Sequence, residues 1–471
     1  MLLRYFYDKR LAQASYLVGC QSTHEALVVD PARAVDQYIV AAQQEGLRII
    51  GVTETHIHAD FVSGSRELAE RTGATLYLSD EGDTSWKYQY ATERPHILLK
   101  DGDEWMIGNI RFQALHTPGH TPEHLSYLVT DTISADQPMG LFSGDFVFVG
   151  DVGRPDLLEQ AAGLAGSAEP AARQLHRSLQ RFRELPDYLQ LWPAHGAGSA
   201  CGKALGAVPS STVGYEKLFN WALRIADEDE FVRTVLAGQP EPPAYFAVMK
   251  RVNKEGPPLL GVLRVPARLR ATGLQSVLER GAQVVDTRPA EEYDHGFVSA
   301  TINIPYDADF LTWMGALVNY EQPLFLIAGA QEIEAIVNDL ICIGLDRIEG
   351  YFKPEAVSGW AERVGQLSVI PRVETSEIER LLKTGEAAIF DVRGAAEYEA
   401  GHIPDVPNLP LPALRRRLNE VPTDRPVVVH CASGARSAIA ASVLRAAGVP
   451  QTINVVGGFD EWRAAGKPID A

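Results

Sequence analysis

Short apolar runs alternate with amphipathic segments along the first half of the chain. Residues 4–20 and 25–31 have the apolar, β-branched and aromatic composition of strands. Residues 34–46 have the periodicity of an amphipathic helix that ends at Gly46, and residues 47–55 form the pattern of a buried strand. This alternation predicts an α/β protein in which strands lead into loops that can carry chemistry.

The second half of the chain contains an internal repeat. A proline-rich passage, GQPEPPAYFAV followed by KEGPPLLGV, marks a domain boundary before it. VVDTRPAEEYDHGFVSATINIP matches FDVRGAAEYEAGHIPDVPNLP, and Asp391 minus Asp286 gives an offset of 105 residues. Each copy continues with an apolar strand, a helix and a glycine-containing segment, as one α/β unit does. We therefore predict three domains, at residues 1–245, 263–365 and 372–471.

Composition narrows the range of functions. The chain of 471 residues carries a formal net charge of −18, and this argues against nucleic-acid binding, which needs a basic face. Its four cysteines are too few and too scattered for a disulfide framework, so we expect a reducing compartment. No apolar stretch is long enough to span a membrane. We expect a cytoplasmic protein without nucleic-acid or membrane partners.

Histidine and aspartate residues cluster after predicted strands of the first domain. The segment THIHADFVSG contains His56, His58 and Asp60, and the segments HTPGHTPEH, FSGD and WPAHG follow downstream. These later segments contribute His120, Asp145 and His195. Imidazole and carboxylate groups are ligands that suit iron, zinc or manganese. The spacing of these residues after successive strands predicts a metal site.

These motifs resemble the metallo-β-lactamase superfamily, in its glyoxalase II and persulfide dioxygenase branch. The resemblance implies an αββα sandwich with the metal at one edge of its two sheets. Glyoxalase II has the motif THxHxDH and binds two metals, whereas Phe61 occupies the last position of the motif here. The missing ligand argues against a second metal and against a dinuclear hydrolase.

The persulfide dioxygenase branch implies a single Fe(II), with zinc as the alternative metal. Carried over by motif, its ligands are His56, His120 and Asp145, a facial triad that leaves coordination positions open for substrate and dioxygen. His58, Asp60 and His195 are then expected around these ligands or against the substrate. Arg154, in the segment GRPD, could hold an anionic substrate group or form a structural ion pair.

Cys201 lies six residues beyond His195, in HGAGSACGKAL. A free cysteine is often a small buried apolar residue. Its place beside Lys203 favours a thiolate, however, and the segment resembles one in bacterial fusion enzymes. A catalytic role and a core role for Cys201 both stay open.

A second chemical motif lies near the C-terminus. VVVHCASGARSAIAASVLRAAG predicts a buried strand, a loop from Cys431 to Arg436 and a helix whose N-terminus faces the sulfur. Only four residues separate this cysteine from the arginine, whereas a tyrosine-phosphatase loop needs five. The motif resembles rhodanese domains. The resemblance implies that Cys431 carries a persulfide and that Arg436 holds an anionic donor or acceptor.

The first copy of the repeat lacks both chemical groups. Aligning LFLIA with VVVHC places Ala328 opposite Cys431 and Ile333 opposite Arg436. Without a thiol, covalent sulfur transfer cannot occur in this copy. We predict a rhodanese-like domain that serves for spacing, docking or pocket walls.

The order of these parts resembles bacterial persulfide dioxygenase–sulfurtransferase fusions used in sulfide detoxification. The resemblance implies oxidation of a low-molecular-weight thiol persulfide by O2 to sulfite, coupled to sulfur transfer that forms thiosulfate. We expect these small molecules as partners and a homo-oligomeric protein. Two alternatives stay open, a zinc thioester hydrolase like glyoxalase II with a fused sulfurtransferase, and a non-oxidative sulfur carrier.

Overall fold

The computed structural model describes residues 1–160, 166–262 and 264–470. The chain divides into two compact units. The first unit is Met1–Leu263 with Ile341–Gly344, and the second is Arg264–Leu340 with Leu345–Ala471. The second unit therefore holds both copies of the repeat except for Ile341–Gly344 of the first copy.

Two six-stranded sheets form the centre of the first unit. The first sheet follows chain order and consists of β1 (Leu2–Asp8), β2 (Gln13–Cys20), β3 (Glu25–Val29), β4 (Arg48–Thr53), β5 (Thr75–Ser79) and β6 (His96–Leu99). The second sheet consists of β7 (Glu104–Ile107), β8 (Ile110–His116), β9 (Leu125–Asp131), β10 (Gly140–Gly144), β11 (Gln190–Pro193) and β12 (Ser211–Thr212), and also follows chain order. Strands β3 to β6 pair in parallel, which aligns their carboxyl ends.

Helices lie on the outer faces of both sheets. They are α1 (Asp36–Gln44), α2 (Ser65–Thr72), α3 (Leu157–Gln160), α4 (Ala168–Glu184), α5 (Val213–Phe219), α6 (Trp221–Arg224), α7 (Glu228–Leu236) and α8 (Phe246–Glu255). Among the helices of the described ranges, none is both long and apolar enough to cross a membrane. Helix α1 ends just before Gly46, as the periodicity predicted, because Gly46 adopts a φ of +66° that favours glycine.

Three apolar layers hold the first unit together. Tyr38 of α1 and Leu68 of α2 pack on the outer face of the first sheet. The layer between the sheets includes Phe112 and Phe142, and a third layer places Leu175 of α4 against the second sheet. Burial of these apolar side chains is the main favourable contribution to this packing. The arrangement confirms the predicted αββα sandwich.

The second unit contains two four-stranded sheets. The first copy comprises α9 (Gly273–Glu279), β13 (Gln283–Asp286), α10 (Ala290–His295), β14 (Ile302–Asn303), α11 (Phe310–Leu317), β15 (Leu324–Ile327), α12 (Ile333–Cys342), β16 (Ile348–Phe352) and α13 (Glu355–Arg363). The second copy comprises β17 (Arg372–Glu374), α14 (Ser376–Thr384), β18 (Ala388–Asp391), α15 (Ala395–Glu399), β19 (Val427–His430), α16 (Ala435–Ala446), β20 (Thr452–Val456) and α17 (Gly458–Ala464). The strand orders are β14-β13-β15-β16 and β17-β20-β19-β18, with parallel pairing throughout.

Helix α16 packs against both copies of the repeat. Its residues 437–444 are all buried, as expected for a helix that is covered on every side. One side covers β19 and β20 of its own sheet, and another side contacts β14 of the first copy. The Ser442 hydroxyl accepts a hydrogen bond from the Asn303 backbone amide at 2.9 Å. This packing holds the first turn of α16 beside the first copy.

Candidate metal centre and sulfur-transfer loop

Three predicted ligands meet at one edge of the two sheets of the first unit. His56 follows β4, His120 follows β8 and Asp145 directly follows β10. The Asp145 Oδ2 atom lies 3.5 Å from His120 Nε2 and 4.0 Å from His56 Nε2. All three side chains are buried, and their ligand atoms lie within 4.8 Å of one another. The three residues can therefore share one metal ion.

The second nitrogen of each imidazole is already engaged. His120 Nδ1 lies 3.0 Å from the carbonyl oxygen of Arg154, and His56 Nδ1 lies 3.0 Å from the Thr55 hydroxyl. These contacts orient each ring with Nε2 towards the common point. Burial, followed by the neighbouring imidazoles, lowers the pKa of His56 well below its usual value, and burial also lowers the pKa of His120. Neutral imidazoles are the form that binds metals.

The pattern of unpaired polar atoms fits a cation at this point. His56 Nε2 and both Asp145 carboxylate oxygens are buried without a hydrogen-bond partner among the described residues. Burial raises the pKa of Asp145, but the imidazoles of His195 and His120 outweigh it and lower the pKa overall. An ionised, buried and unpaired carboxylate is costly unless a cation or metal compensates it. The donor set and its orphaned atoms therefore suit a divalent metal.

The Asp145 backbone is held by a residue to which the sequence pattern assigned no role. The Asp145 amide donates to His124 Nε2 at 3.0 Å, and His124 Nδ1 lies 2.9 Å from the Thr117 hydroxyl. Burial lowers the pKa of His124 to about 3, so the ring accepts as a neutral base. Gly144 has a φ of +53°, and a Cβ there would lie 2.5 Å from His124 Nε2. Glycine at 144 thus allows the close approach that aims Asp145.

A second group of buried polar side chains adjoins the first. The ligand atoms of Asp60, His195 and Cys201 lie within 4.8 Å of one another. His195 Nε2 lies 3.2 Å from Asp60 Oδ2 and 3.4 Å from Asp145 Oδ1, while its Nδ1 faces the carbonyl oxygen of Ala12 at 3.0 Å. The buried Phe61 ring lies 4.5 Å from the His58 ring. Cys201 therefore lies in one group with Asp60 and His195, two residues of the sequence motifs.

The expected influence of Lys203 on Cys201 is wrong. The Lys203 ammonium donates to the carbonyl oxygens of Thr234 and Ala237, away from the sulfur. Burial, and then the carboxylates of Asp60 and Asp145, raise the pKa of Cys201 well above its usual value. The thiol therefore stays protonated in the protein alone, because the nearest charges are negative rather than positive.

His58 occupies a different place from the three predicted ligands. Its Nε2 lies 3.1 Å from Asp30 Oδ1, and this carboxylate raises the pKa of His58 to about 9 despite burial. Its ring centroid lies 4.2 Å from that of His56. The contact between the rings places His58 beside the candidate ligand His56.

Arg154 forms a buried ion pair with Asp156. Its side chain is fully buried, and its Nε and Nη2 donate to the two carboxylate oxygens of Asp156 at 2.9 and 2.6 Å. Its Nη1 donates to the carbonyl oxygen of Ala200 at 3.0 Å. These bonds favour the structural alternative over the capture of a substrate anion. Arg154 therefore contacts both sides of the site. Its guanidinium binds the loop before Cys201, and its backbone carbonyl oxygen orients the His120 ring.

Two buried acidic residues hold the loop that carries the candidate ligand His56. Asp30 accepts from the Thr55 amide at 2.7 Å and from its hydroxyl at 2.9 Å. Glu123 accepts from the Ile57 amide at 2.8 Å, and burial raises the pKa of Glu123 to about 7. Asp30 directly follows β3, and Glu123 lies two residues before β9 in the TPEH segment.

The sulfur-transfer loop lies at the carboxyl end of β19. Cys431 is buried, and its Sγ accepts a hydrogen bond from the Gly434 amide at 3.1 Å and from the Ser437 hydroxyl at 3.6 Å. The chain returns over the loop, where Phe459 N donates to the Cys431 carbonyl at 2.8 Å. Gly458 has a φ of +55°, and a Cβ there would lie 2.3 Å from that carbonyl. These donors can stabilise negative charge on the sulfur.

Arg436 forms the outer wall of the loop. Its two Nη atoms donate to the Glu397 carboxylate at 2.5 and 2.8 Å. These bonds raise the pKa of Arg436, and the interaction with Cys431 adds to the effect. The guanidinium is therefore fixed in position by Glu397 while it contributes positive charge near the sulfur.

The first copy keeps the frame of this site without its reacting groups. Arg288 donates to both oxygens of Asp286 and to the Gly296 carbonyl, and Arg393 makes the same bonds to Asp391 and the Gly401 carbonyl. Ala328 is buried directly after β15, where Cys431 follows β19. The repeat thus preserves the ion pair that shapes the sheet edge.

We expect Ala328→Ser to change the rate of sulfur transfer by less than about twofold, since a hydroxyl without an activating base is not a nucleophile. Rhodanese turnover with thiosulfate or a persulfide as sulfur donor measures this. Circular dichroism of the same variant checks that the fold is retained. A selective loss of sulfur transfer in a folded variant would show that the first copy takes part in the reaction.

The fold and both sites define a metallo-β-lactamase-fold protein that carries a rhodanese-like domain. The model of the metallo-beta-lactamase superfamily matches residues 8–195, and that of the rhodanese-like domain matches residues 374–465. The chain is 44% identical in sequence to a metallo-beta-lactamase from Staphylococcus aureus subsp. aureus COL, whose crystal structure is known. The two structures align with a TM-score of 0.67 over 75% of this chain and 99% of that one. The chain belongs to the metallo-beta-lactamase superfamily.

Two of the curated relatives are named for different activities. The mitochondrial persulfide dioxygenase ETHE1 of Bos taurus is 26% identical over 280 residues, which are 59% of this chain and 90% of the relative. A hydroxyacylglutathione hydrolase of Gloeobacter violaceus is 34% identical over 183 residues, which are 38% of this chain and 62% of the relative. The chain spans about half the length of other curated relatives that it matches.

Proposed function

We propose that the chain oxidises the outer sulfur of a low-molecular-weight thiol persulfide with O2 and transfers a second sulfane sulfur to the product. The first reaction converts RSSH, O2 and H2O into RSH, hydrogen sulfite and a proton. The second converts a further RSSH and sulfite into RSH and thiosulfate. Together the two reactions would convert sulfide-derived sulfur, carried as a persulfide, into soluble thiosulfate.

One observation carries the proposal of a single iron. His56, His120 and Asp145 converge with unpaired ligand atoms, and Phe61 stands where a further imidazole would serve a second metal. Two imidazoles and one carboxylate are the ligand set of Fe(II) oxygenases. Bound iron would supply the redox chemistry through which O2 reacts with the persulfide.

The residues of this chain position the metal and exclude water. Asp145 provides the only negative charge among the three predicted ligands, and the backbone carbonyl oxygen of Arg154 orients the His120 ring through Nδ1. Phe61 and Phe148 are fully buried beside His58 and His195, respectively. Their rings make this side of the site apolar, which limits competing hydrolysis of a bound persulfide.

Cys431 performs the sulfur transfer in the second unit. Its thiolate attacks the outer sulfur of a persulfide, the S–S bond breaks and RS⁻ leaves. Sulfite then attacks the sulfane sulfur on Cys431, which releases thiosulfate and regenerates the thiolate. The Gly434 amide and the Ser437 hydroxyl stabilise the charged sulfur at each stage. Because both sites lie in one chain, sulfite forms at a raised effective concentration for this step.

A zinc thioester hydrolase is the second candidate function. The buried group of Asp60, His195 and Cys201 offers ligand atoms for another cation beside the first. The similarity to the hydroxyacylglutathione hydrolase supports this candidate, and the similarity to the cattle persulfide dioxygenase supports the first. The number and identity of the bound metals separate the two functions.

Protein purified without oxygen should contain about one iron per chain, because one facial triad is complete. Elemental analysis by plasma mass spectrometry measures this content. On addition of glutathione persulfide, an oxygen electrode should record O2 uptake that chelation of the iron abolishes. Two tightly bound zinc ions per chain, with hydrolysis of a glutathione thioester and no O2 uptake, would contradict the proposal and favour the hydrolase.

A further inference from the structure

Helix α8 lies between the two parts of the proline-rich passage that marks a boundary in the sequence. In the structure, this helix and the residues that follow it belong to the first unit. The last turn of α8 contains a fully buried asparagine, Asn253. Asparagine is unfavourable inside a helix, and a buried amide needs hydrogen-bond partners. The position of Asn253 therefore calls for partners outside its own helix.

These partners lie on the loop between β4 and α2, which carries the candidate ligand His56. The Asn253 Nδ2 atom donates to the carbonyl oxygens of His58 at 2.8 Å and Phe61 at 2.7 Å, and Asn253 Oδ1 accepts from the Ser63 amide at 2.8 Å. The three bonds use both hydrogens of the side-chain amide and its oxygen. They give partners to buried main-chain groups that would otherwise be costly to leave unpaired. Asn253 thus holds the loop at three points.

The loop connects Asn253 to the carboxylate of the candidate triad. Asp60 lies between the two residues whose carbonyl groups Asn253 binds. Asp60 Oδ2 lies 3.2 Å from His195 Nε2, and the same nitrogen lies 3.4 Å from Asp145 Oδ1. A shift of the loop would therefore move His56 directly and would alter the surroundings of Asp145 through Asp60 and His195.

The residues after α8 are bound to α2, the helix that directly follows the same loop. Glu67 of α2 accepts from the amides of Leu260 at 2.7 Å and Gly261 at 2.9 Å. Arg66 of α2 donates to the carbonyl oxygen of Pro257 at 2.9 Å. These bonds fix the end of α8 against α2. Asn253 is therefore presented to the loop by a fastened helix.

We propose that Asn253 is a positioning residue of the metal centre, which keeps the loop after His56 in the shape that metal binding requires. Asn253 acts through the backbone of His58, Phe61 and Ser63 and contacts none of the three candidate ligands. Without it, three buried main-chain groups lose their partner, and the loop must move to satisfy them. This inference rests on the proposed metal centre and assigns part of its affinity to a helix beyond the sequence motifs.

Cobalt(II) binding by the full-length, iron-free protein tests the inference, because it reports on the site without turnover. In Asn253→Ala, the dissociation constant for Co(II), measured by competition with a chelator, should rise about tenfold, as when an outer partner of a metal site is removed. The visible absorption bands of bound Co(II), which report ligand geometry, should also shift. Asp145→Ala should abolish these bands and so identifies them with the candidate triad.

Asn253→Asp is a second variant that keeps the shape of the side chain. It can still accept from the Ser63 amide, but it sets a carboxylate oxygen against the carbonyl oxygens of His58 and Phe61. We expect weaker Co(II) binding and shifted bands here as well. Circular dichroism of both variants checks that the fold is retained. Wild-type affinity and wild-type bands in the folded variants would overturn the inference.

Val235→Ala is the control for a general loss of stability. Val235 is a fully buried residue of α7 in the third apolar layer. Its truncation should lower the melting temperature, since buried apolar contacts are lost, and should leave the affinity and the absorption bands of Co(II) unchanged. If this control weakened Co(II) binding and shifted the bands as much as Asn253→Ala does, the effect would be general and the inference would be overturned.

Hydrogen exchange of the wild type provides a test that needs no variant. Co(II) should slow the exchange of the amides of α8 together with those of the loop after His56, because a loop held by the metal cannot release Asn253. Slowed exchange in the loop alone would overturn the inference. A wild type that binds no Co(II) at the triad would overturn the proposed metal centre as well. Normal Co(II) binding in both Asn253 variants would overturn this inference alone.

Discussion

Asp145→Ala should abolish O2 uptake while Cys431 continues to accept sulfur. Asp145 is the only carboxylate of the candidate triad, and its two oxygens have no other hydrogen-bond partner among the described residues. Its removal leaves two neutral imidazoles, so iron should bind at least about 100-fold more weakly, since even changes to outer partners of a metal site cost about 10–100-fold. Iron content and an oxygen electrode trace with glutathione persulfide measure the loss.

Asp145→Asn is the matched control, because it keeps the shape of the side chain and removes the charge. The hydrogen bond to His124 Nε2 is donated by the backbone amide of residue 145. It should therefore persist in both variants. Both should therefore fold as the wild type does, by circular dichroism, and both should lose iron. Persulfide-dependent O2 uptake by Asp145→Ala with bound iron would show that the triad is not the catalytic metal site.

Cys431→Ser should abolish sulfur transfer from thiosulfate and from persulfides. A hydroxyl is not nucleophilic without an activating base, and the described donors to Cys431 are the amide of Gly434 and the hydroxyl of Ser437. Loss of the only nucleophile in the loop should reduce transfer by at least about 1000-fold, the scale seen when a catalytic nucleophile is removed. O2 uptake should stay largely intact, and the product should shift from thiosulfate to sulfite. Separate quantitation of the two anions measures this shift.

Cys20→Ser provides the control for a cysteine outside both sites. Cys20 lies at the end of β2, where its sulfur accepts from the Asn109 amide. This variant should form thiosulfate at the wild-type rate. If Cys431→Ser stopped O2 uptake as completely as Asp145→Ala, the two sites would not be independent. Sulfur would then pass through Cys431 before oxidation, and the rhodanese-like domain would be the point of entry.

Local motifs predicted much of both sites. Each candidate metal ligand follows a strand, and parallel or mixed sheets bring strand ends to one edge, so the motifs alone predict that His56, His120 and Asp145 lie together. The spacing from Cys431 to Arg436 similarly predicts a small anion-binding loop between a strand and a helix. The αββα fold, also predicted, is confirmed by the three apolar layers of the first unit.

Sequence neighbours were a poor guide to electrostatics. Lys203 is two residues from Cys201 in the chain but donates to the carbonyl oxygens of Thr234 and Ala237, while Asp60 and Asp145 lie near the sulfur. Side-chain charge acts through space over a few ångströms, and a turn of the backbone can send adjacent side chains to opposite sides. The charge state of the thiol therefore depended on residues far away in the chain.

The sequence by itself determined which groups are available for chemistry: the candidate ligands, the thiol of the CASGAR loop and the absence of a thiol at Ala328. It did so because these groups depend on residue type and on short spacings after strands. Only the tertiary structure decided that Arg154 forms an ion pair with Asp156, that His124 holds the Asp145 backbone and that α16 lines a cavity at the first copy of the repeat. These features depend on which distant side chains become buried together, and burial gives each polar group its partner, its charge and its orientation.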